Sequence, residues 1–453
     1  MMIKKILALT AIVFVSNLAT AQKSKVQTAW RGLSDYEETV KDGKPDINYL
    51  TKAKDAIDLA LANEDTKNQA KTHAYKLRIS YDQFQYNLDQ EKKKLEATVT
   101  DKNERLMTAY GIVDLKDFEM ASEELNKIKD LDPKFLEVIQ NGLEKGVSAL
   151  DEDELKFAMA AQQMKMEAGN IASGKYKAKK YDEAADYFYK TGVMNTILYK
   201  TKDTANFYNA CISATKSKNT DKILEYNKKM VDAKIASPYN YEAMYNAQLA
   251  KNDSTSAMET LKKGRVTFPD DIGLLTQETN IFLARGKQVE ALANLKISID
   301  KDPKNSLFYF ITGQIYENMA NPKDKANGKE LEKPKNFEEL FQNAETNYLK
   351  AIELNPANKE YLYNSLYNLG AMYNNYGGYM ANHKIEKITD MAKYQKENEA
   401  KAQVYYKKAI PYLERALTIK NDDRSTMSAL RKLYLLTGDN VKATEMDTKL
   451  KMK

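Results

Sequence analysis

The sequence predicts an all-α fold built as a helical repeat array, and three observations carry that prediction. A small or aliphatic residue returns every 34 positions: Ile223, Ala257 and Ala291 form one run, Ala409 and Ala443 another. Proline follows at a fixed distance, with Pro269, Pro303 and Pro356 each at the same offset from Ala257, Ala291 and Ala344. Glycine (17) and proline (9) are scarce in 453 residues, which disfavours an all-β chain needing many tight turns. A fixed period of this length is the mark of stacked helical hairpins, whose usual role is to hold other molecules.

Residues 1–21 read as a secretory signal. Lys4 and Lys5 open it, Ile6 to Val15 is an apolar run, and Ala19-Thr20-Ala21 supplies small residues before Gln22, so cleavage is expected after Ala21. The apolar run is too short to span a bilayer well, and no second stretch comes near the length needed. The mature chain is therefore expected to have no membrane span and to be periplasmic or secreted. No cysteine lies near the cleavage point, so lipid attachment there is not supported.

Residues 22–164 read as N-terminal helical hairpins, either degenerate repeats or a cap. Helices are expected over 23–42, 46–63 and 66–90, with Tyr49, Ala53, Ala56, Ile57 and Ala60 on one face of the second. Residues 91–103 are highly charged and read as a solvated loop or helix end. The pattern resumes at 104, breaks at Asp130-Leu131-Asp132-Pro133, and continues through 134–149 and 153–174.

The repeat array is expected over 165–453, and its register becomes clear from about residue 180. The second helix of each unit carries a stripe spaced by four and then three: Ala257-Leu261-Gly264, Ala291-Leu295-Ser298, Ala344-Tyr348-Ala351, Ala409-Leu413-Ala416. Small residues at both ends of the stripe admit a neighbouring helix, and the large one between them fills the gap. The first helix carries Tyr309-Gly313-Tyr316, Leu366-Leu369-Gly370-Tyr373 and Met427-Leu430-Tyr434. A glycine inside a helix costs roughly 1 kcal/mol relative to alanine, so close helix contact is its expected compensation. Two inserts interrupt the array. Residues 320–336 read as an exposed polar loop, and 374–400 as a lengthening of both helices of one hairpin into an arm.

These coupled spacings resemble the tetratricopeptide repeat (TPR), a helical hairpin with this same period. The unit from Tyr309 to Pro356 matches at Tyr309, Gly313, Tyr316, Ala344, Tyr348, Ala351 and Pro356. The resemblance implies a right-handed α-solenoid, and the layout is similar to exported repeat proteins of Bacteroidetes-type bacteria. It also implies that the first helices line a partner-binding groove. Carried onto this sequence, the inward places include Tyr239, Asn246, Asn280, Phe310, Gln314, Glu317, Asn318, Asn364, Tyr367, Asn374 and Asn375. Amides can donate and accept, which suits a peptide backbone, and aromatic rings supply anchor area. The lysine and asparagine pair that clamps a terminal carboxylate in some TPR domains is incomplete, since Glu242 and Thr276 stand where lysine is favoured.

Chemistry is sparse. His73 and His383 are the two histidines and Cys211 the single cysteine, too few for a zinc site and none for an intramolecular disulfide. No catalytic or phosphate-binding motif appears, and the 64 carboxylates are interspersed with lysines as on a solvated helix face. No catalytic residue, metal or cofactor is expected. The net charge of +6, about +4 after signal removal, gives no basic footprint for nucleic acid. The expectation is a non-enzymatic scaffold for a protein or peptide in the bacterial envelope. A soluble glycan- or peptidoglycan-binding module is the alternative, and an enzyme accessory subunit a third.

Overall fold

The structure is a computed structural model and describes residues 24–324, 327–354, 356–382 and 391–451. The expected signal segment and His383 lie outside the described residues. The chain divides into two compact units between Met258 and Glu259. Apart from one isolated antiparallel bridge, Lys323 to Glu330, the regular structure of the described residues is helical.

The first unit begins with α1 (residues 24–41), α2 (Ile47–Leu61), α3 (Ala70–Leu95), α4 (Lys102–Ile112) and α5 (Lys116–Leu131). It continues with α6 (Pro133–Lys145), α7 (Glu152–Lys177), α8 (Tyr181–Tyr199), α9 (Thr204–Ser217), α10 (Thr220–Asp232) and α11 (Pro238–Ala250). Helix starts follow capping chemistry. Asp132, Asp151, Asp203 and Asn219 each turn a side-chain oxygen onto an otherwise unpaired amide of the first turn. Pro133 and Pro238 occupy first-turn positions, where no intrahelical bond would use the missing N–H.

The division between units falls inside α12 (Ser254–Thr267). The second unit continues through α13 (Ile272–Ala284), α14 (Gln288–Lys301), α15 (Ser306–Ala320) and α16 (Phe337–Glu353). It ends with α17 (Lys359–Asn382), α18 (Met391–Ile419), α19 (Arg424–Thr437) and α20 (Asn440–Lys451). Within this unit successive helices pair: α13 with α14, α15 with α16, α17 with α18, α19 with α20. Both units are all-α, as the sequence predicts.

The tight turn inside these hairpins repeats with the alanines. Lys218, Asn252 and Gly286 all have positive φ (61°, 59° and 73°) and recur at the period of the alanine stripe. Lys179 and Gly438 hold the same conformation in the turns before α8 and α20. A left-handed residue lets the chain reverse sharply, after which the small-residue stripe brings the second helix against the first.

In the second unit Ala291, Ala344, Ala351, Ala409 and Ala416 are fully buried, and Tyr348 and Leu413 fill the space between them. The glycines sit where those large residues press. A Cβ at Gly313 would stand 2.8 Å from Tyr348 Cδ1, and one at Gly370 would stand 2.6 Å from Leu413 Cγ.

Before residue 165 the packing skips neighbours. Helix α3 packs chiefly on α5, and α4 packs on α7. This explains why the period is faint there, since a sequence repeat of one hairpin length requires sequential pairing. The charged stretch 91–103 is divided between the end of α3 and the start of α4.

The arm expected from residues 374–400 corresponds to the long α17 and α18, with residues 383–390 outside the described set. Aromatic rings pack at its base. Phe341 lies 4.4 Å, centroid to centroid, from Tyr376, and Tyr376 lies 4.5 Å from Tyr405. The described residues of the 320–336 insert form a largely exposed loop that is tied down: Leu331 N–H donates to Pro322 O at 2.9 Å, and Lys333 reaches Tyr379 on α17.

Candidate functional site

The tyrosines provide first a test of which polar groups are already engaged. In the second unit four of them, Tyr348, Tyr373, Tyr376 and Tyr434, have buried rings whose hydroxyls reach carboxylates. Tyr348 donates to Glu317 at 2.6 Å, Tyr373 to Glu345 and Tyr376 to Glu338 at 2.5 Å, and Tyr434 to Glu414 at 2.7 Å. Burial followed by these carboxylates pushes the phenols far above their ordinary range. They serve as packing with a satisfied polar end. Cys211 is fully buried, and burial pushes its thiol up to about 12. His73 is also buried, held between Glu124 and the Lys67 carbonyl. Neither is presented to a ligand.

The structure places the expected groove residues unevenly. In the first unit, Asn246 is exposed on α11. Tyr239, on the same helix, is half-buried, with its hydroxyl donating to Thr215 Oγ1 at 2.8 Å and its ring edge-on to Tyr208. In the second unit, Asn280 is exposed and Gln314 half-buried. Phe310 is a correction: it belongs to the core, only 8% exposed and 6.1 Å from the Tyr348 ring, so it cannot act as a free anchor. Tyr367 stacks on Tyr363, with ring centroids 6.0 Å apart. Asn364 and Asn374 are half-buried, and Asn374 Oδ1 is enclosed without a hydrogen-bond donor.

Asn318 and Asn375 are brought together. Both are exposed and line one cleft of about 490 Å³ in the second unit. Glu317 and Asn318 come from the last turns of α15, and Asn375, Gly378, Tyr379 and Asn382 from the extended part of α17. The insert supplies the remaining wall with Asn321, Lys323, Glu330 and Lys333. The spacing 375, 378, 379, 382 is one face of a helix, so lengthening α17 past a single repeat is what builds this wall.

The wall is fixed by its own hydrogen bonds. Asn321 Nδ2 donates to the Glu317 carbonyl at 2.9 Å, and Asn321 Oδ1 accepts from Lys333 Nζ at 2.6 Å. The Lys333 ammonium lies 4.5 Å from the centroid of Phe337 and 4.8 Å from that of Tyr379, two cation–π contacts that hold the insert down. Burial lowers the Lys333 pKa, with Glu330 opposing. Burial likewise raises Glu317, against the Tyr348 hydroxyl and Lys323.

Two carboxylates and two ammonium groups balance in this cleft, leaving a neutral site rich in primary amides. Such a lining offers paired donors and acceptors at low desolvation cost, which matches an uncharged polar chain. Tyr379 is engaged by Lys333 and stacks on Tyr376 at 14°, so its ring is not an open platform for a sugar. Sequence reasoning found Glu317, Asn318 and Asn375 through the repeat register. It missed the insert residues, because a non-periodic polar loop carries no signal of the surface onto which it folds. Among the described residues no group of three or more His, Cys, Asp or Glu side chains could hold a metal ion. No described helix is long and apolar enough to cross a membrane.

No family model and no curated protein sequence matches the chain. Solved structures do. A TPR repeats protein from Bacteroides fragilis is 17% identical, covering 60% of this chain and 98% of its own, with a TM-score of 0.28. The C-terminal part of a TPR repeat-containing protein from Cytophaga hutchinsonii is 15% identical, covering 62% and 92%, with a TM-score of 0.38. YrrB, described as a TPR protein with an unusual peptide-binding site, is 14% identical, covering 44% and 89%, with a TM-score of 0.29. At these scores the likenesses add nothing to what the helices themselves establish.

Proposed function

We propose that this chain is a non-enzymatic scaffold that holds a protein or peptide, acting in the bacterial envelope after export and removal of the segment Met1 to Ala21. The observation that carries the reading is the neutral, amide-lined cleft in which Asn318 and Asn375 meet between two first helices and the 320–336 insert. An extended peptide backbone would exchange hydrogen bonds with those amides while Lys333 and Glu317 keep the walls in place. Export rests on the basic, apolar and small-residue layout of residues 1–21.

The test compares the mature chain with the double variant Asn318→Glu/Asn375→Glu as bait in envelope extract. Both residues are exposed, so the variant should keep its melting temperature while losing the protein that the parent recovers. Recovery of polysaccharide or nucleic acid without protein, or equal recovery by both baits, would reject the proposal.

A further inference from the structure

The first unit carries a second trough, unrelated to the amide cleft. Two adjoining cavities of about 490 and 530 Å³ share Lys71, Tyr75, Asp151 and Asp153. The deeper one reaches Arg78, Leu131, Phe135 and Phe157, and the shallower one opens beside Val26 and Trp30.

Three features set this trough apart. The first is Arg78, only 3% exposed and lining the deeper cavity. Its Nη2 donates to Glu37, whereas Nη1 has no hydrogen-bond acceptor, with Asp153 Oδ1 4.0 Å away. A buried guanidinium N–H without an acceptor is costly, and a ligand oxygen would satisfy it.

The second is charge. Five carboxylates line the two cavities (Asp132, Asp151, Glu152, Asp153 and Glu154) against two lining cations, Lys71 and Arg78, and a third cation, Lys156, reaches Glu152 at 3.1 Å from outside the lining, so the carboxylates remain in excess. Lys71 is already paired with Asp153 at 2.9 Å. Asp132 and Asp151 each use one oxygen to cap a helix, which leaves the other for the trough. Burial of Asp153 favours its neutral form, but hydrogen bonds from Lys71 and Tyr75 hold its carboxyl below the usual range.

The third is Trp30. It is the single tryptophan of the chain, 39% exposed, and it lines the shallow cavity together with Glu152 and Asp153. An indole and carboxylates lining one cavity offer an ammonium or guanidinium group both a ring and a counter-charge.

We infer that this trough binds a peptide segment bearing a lysine or arginine side chain, its cation held between Trp30 and the Glu152–Asp153 carboxylates while a backbone carbonyl accepts from Arg78 Nη1. An acidic ligand is disfavoured by the excess of carboxylates. A neutral sugar would leave that excess uncompensated. The inference goes beyond the amide cleft and stands or falls separately, because the residues belong to the other unit.

Trp30 supplies its own readout. The full mature chain is titrated with acetyl-Leu-Lys-Ala-amide, with the glutamate analogue of that peptide, and with chitotetraose, following tryptophan emission. A saturable change is expected with the lysine peptide alone, weakening as salt is added. By calorimetry, Trp30→Ala should weaken binding about threefold to thirtyfold, and Glu152→Gln about twofold to fivefold. Both side chains are exposed, so melting temperatures should hold, and Asn318→Glu/Asn375→Glu should leave this affinity unchanged. Absence of a saturable change, or an equal response to the glutamate peptide or the sugar, would overturn the inference.

Discussion

Gly313 lies directly beneath the ring of Tyr348, so close that a Cβ there would stand 2.8 Å from Cδ1 and 2.9 Å from Cε1. The two residues face each other across one hairpin, α15 against α16, and the Tyr348 hydroxyl continues past the glycine to Glu317, also on α15. The contact therefore joins the repeat's packing to the wall of the amide cleft.

Gly313→Ala should overpack this contact and cost about 1–3 kcal/mol, read as a lower urea midpoint with unchanged slope. Gly370→Ala should behave alike, since Leu413 Cγ would be 2.6 Å away. Gly169 is the control: the nearest atom to a Cβ there is Thr191 Cγ2 at 3.7 Å, so Gly169→Ala should stabilise by up to about 1 kcal/mol through helix propensity. If all three variants destabilised equally, close approach would not be the reason for the glycines.

The hairpin turns offer the opposite test. Lys218 holds φ 61°, a conformation that costs a residue with a Cβ roughly 1–2 kcal/mol. Lys218→Gly relieves that strain while adding freedom to the unfolded chain, so a net gain of up to about 1 kcal/mol is expected. Gly286→Ala, at φ 73°, should lose about 1 kcal/mol. Thermal melts of the two variants moving in opposite directions would support the shared turn geometry, and movement in the same direction would count against it.

Removing single hydroxyls separates packing from polar contact. Tyr434→Phe breaks the bond to Glu414, which keeps Lys442 at 2.9 Å, so the loss should be about 1 kcal/mol. Tyr348→Phe strips the half-buried, desolvated Glu317 carboxylate of its hydroxyl donor and should cost about 1.5–3 kcal/mol. Denaturant titration that ranks them the other way would contradict the desolvation of Glu317.

Asp82, on α3 in the first unit, gives a pH dependence. Burial and then the neighbouring Glu37 carboxylate push its carboxyl from 3.8 up to about 7, with Arg78 opposing. Between those values the folded chain holds a proton that the unfolded chain has released. This group's contribution to stability is thus full below pH 3.8 and is lost as pH rises through about 7. Urea midpoints should fall from about pH 5 to about pH 8, and Asp82→Asn should flatten that fall and exceed the parent at the higher pH. An identical slope in parent and variant would place the effect elsewhere.

The repeat was legible wherever one physical constraint recurred at one spacing. Ala257, Ala291, Gly313 and Gly370 announce close helix contacts, and Pro269 and Pro303 fall just beyond the ends of α12 and α14. Helices α3 to α7 were legible as helices but not as repeats, because α3 reaches past α4 to α5 and no local spacing encodes that. The site was half legible. Asn318 and Asn375 follow from the register, whereas Lys333 and Asn321 act through a folded-back insert whose partners Phe337 and Tyr379 are fixed only in three dimensions. Phe310 was misplaced because helical spacing assigns a direction, and here that direction meets Tyr348 rather than solvent.

The most direct measurement is photo-crosslinking in living cells from a benzophenone amino acid placed at Asn375, with Val441 as the control. Both positions are exposed in the same unit, and only Asn375 lines the amide cleft. One protein adduct of defined mass is expected from position 375 and none from 441. Equal labelling from both, or no protein adduct from 375, would contradict it.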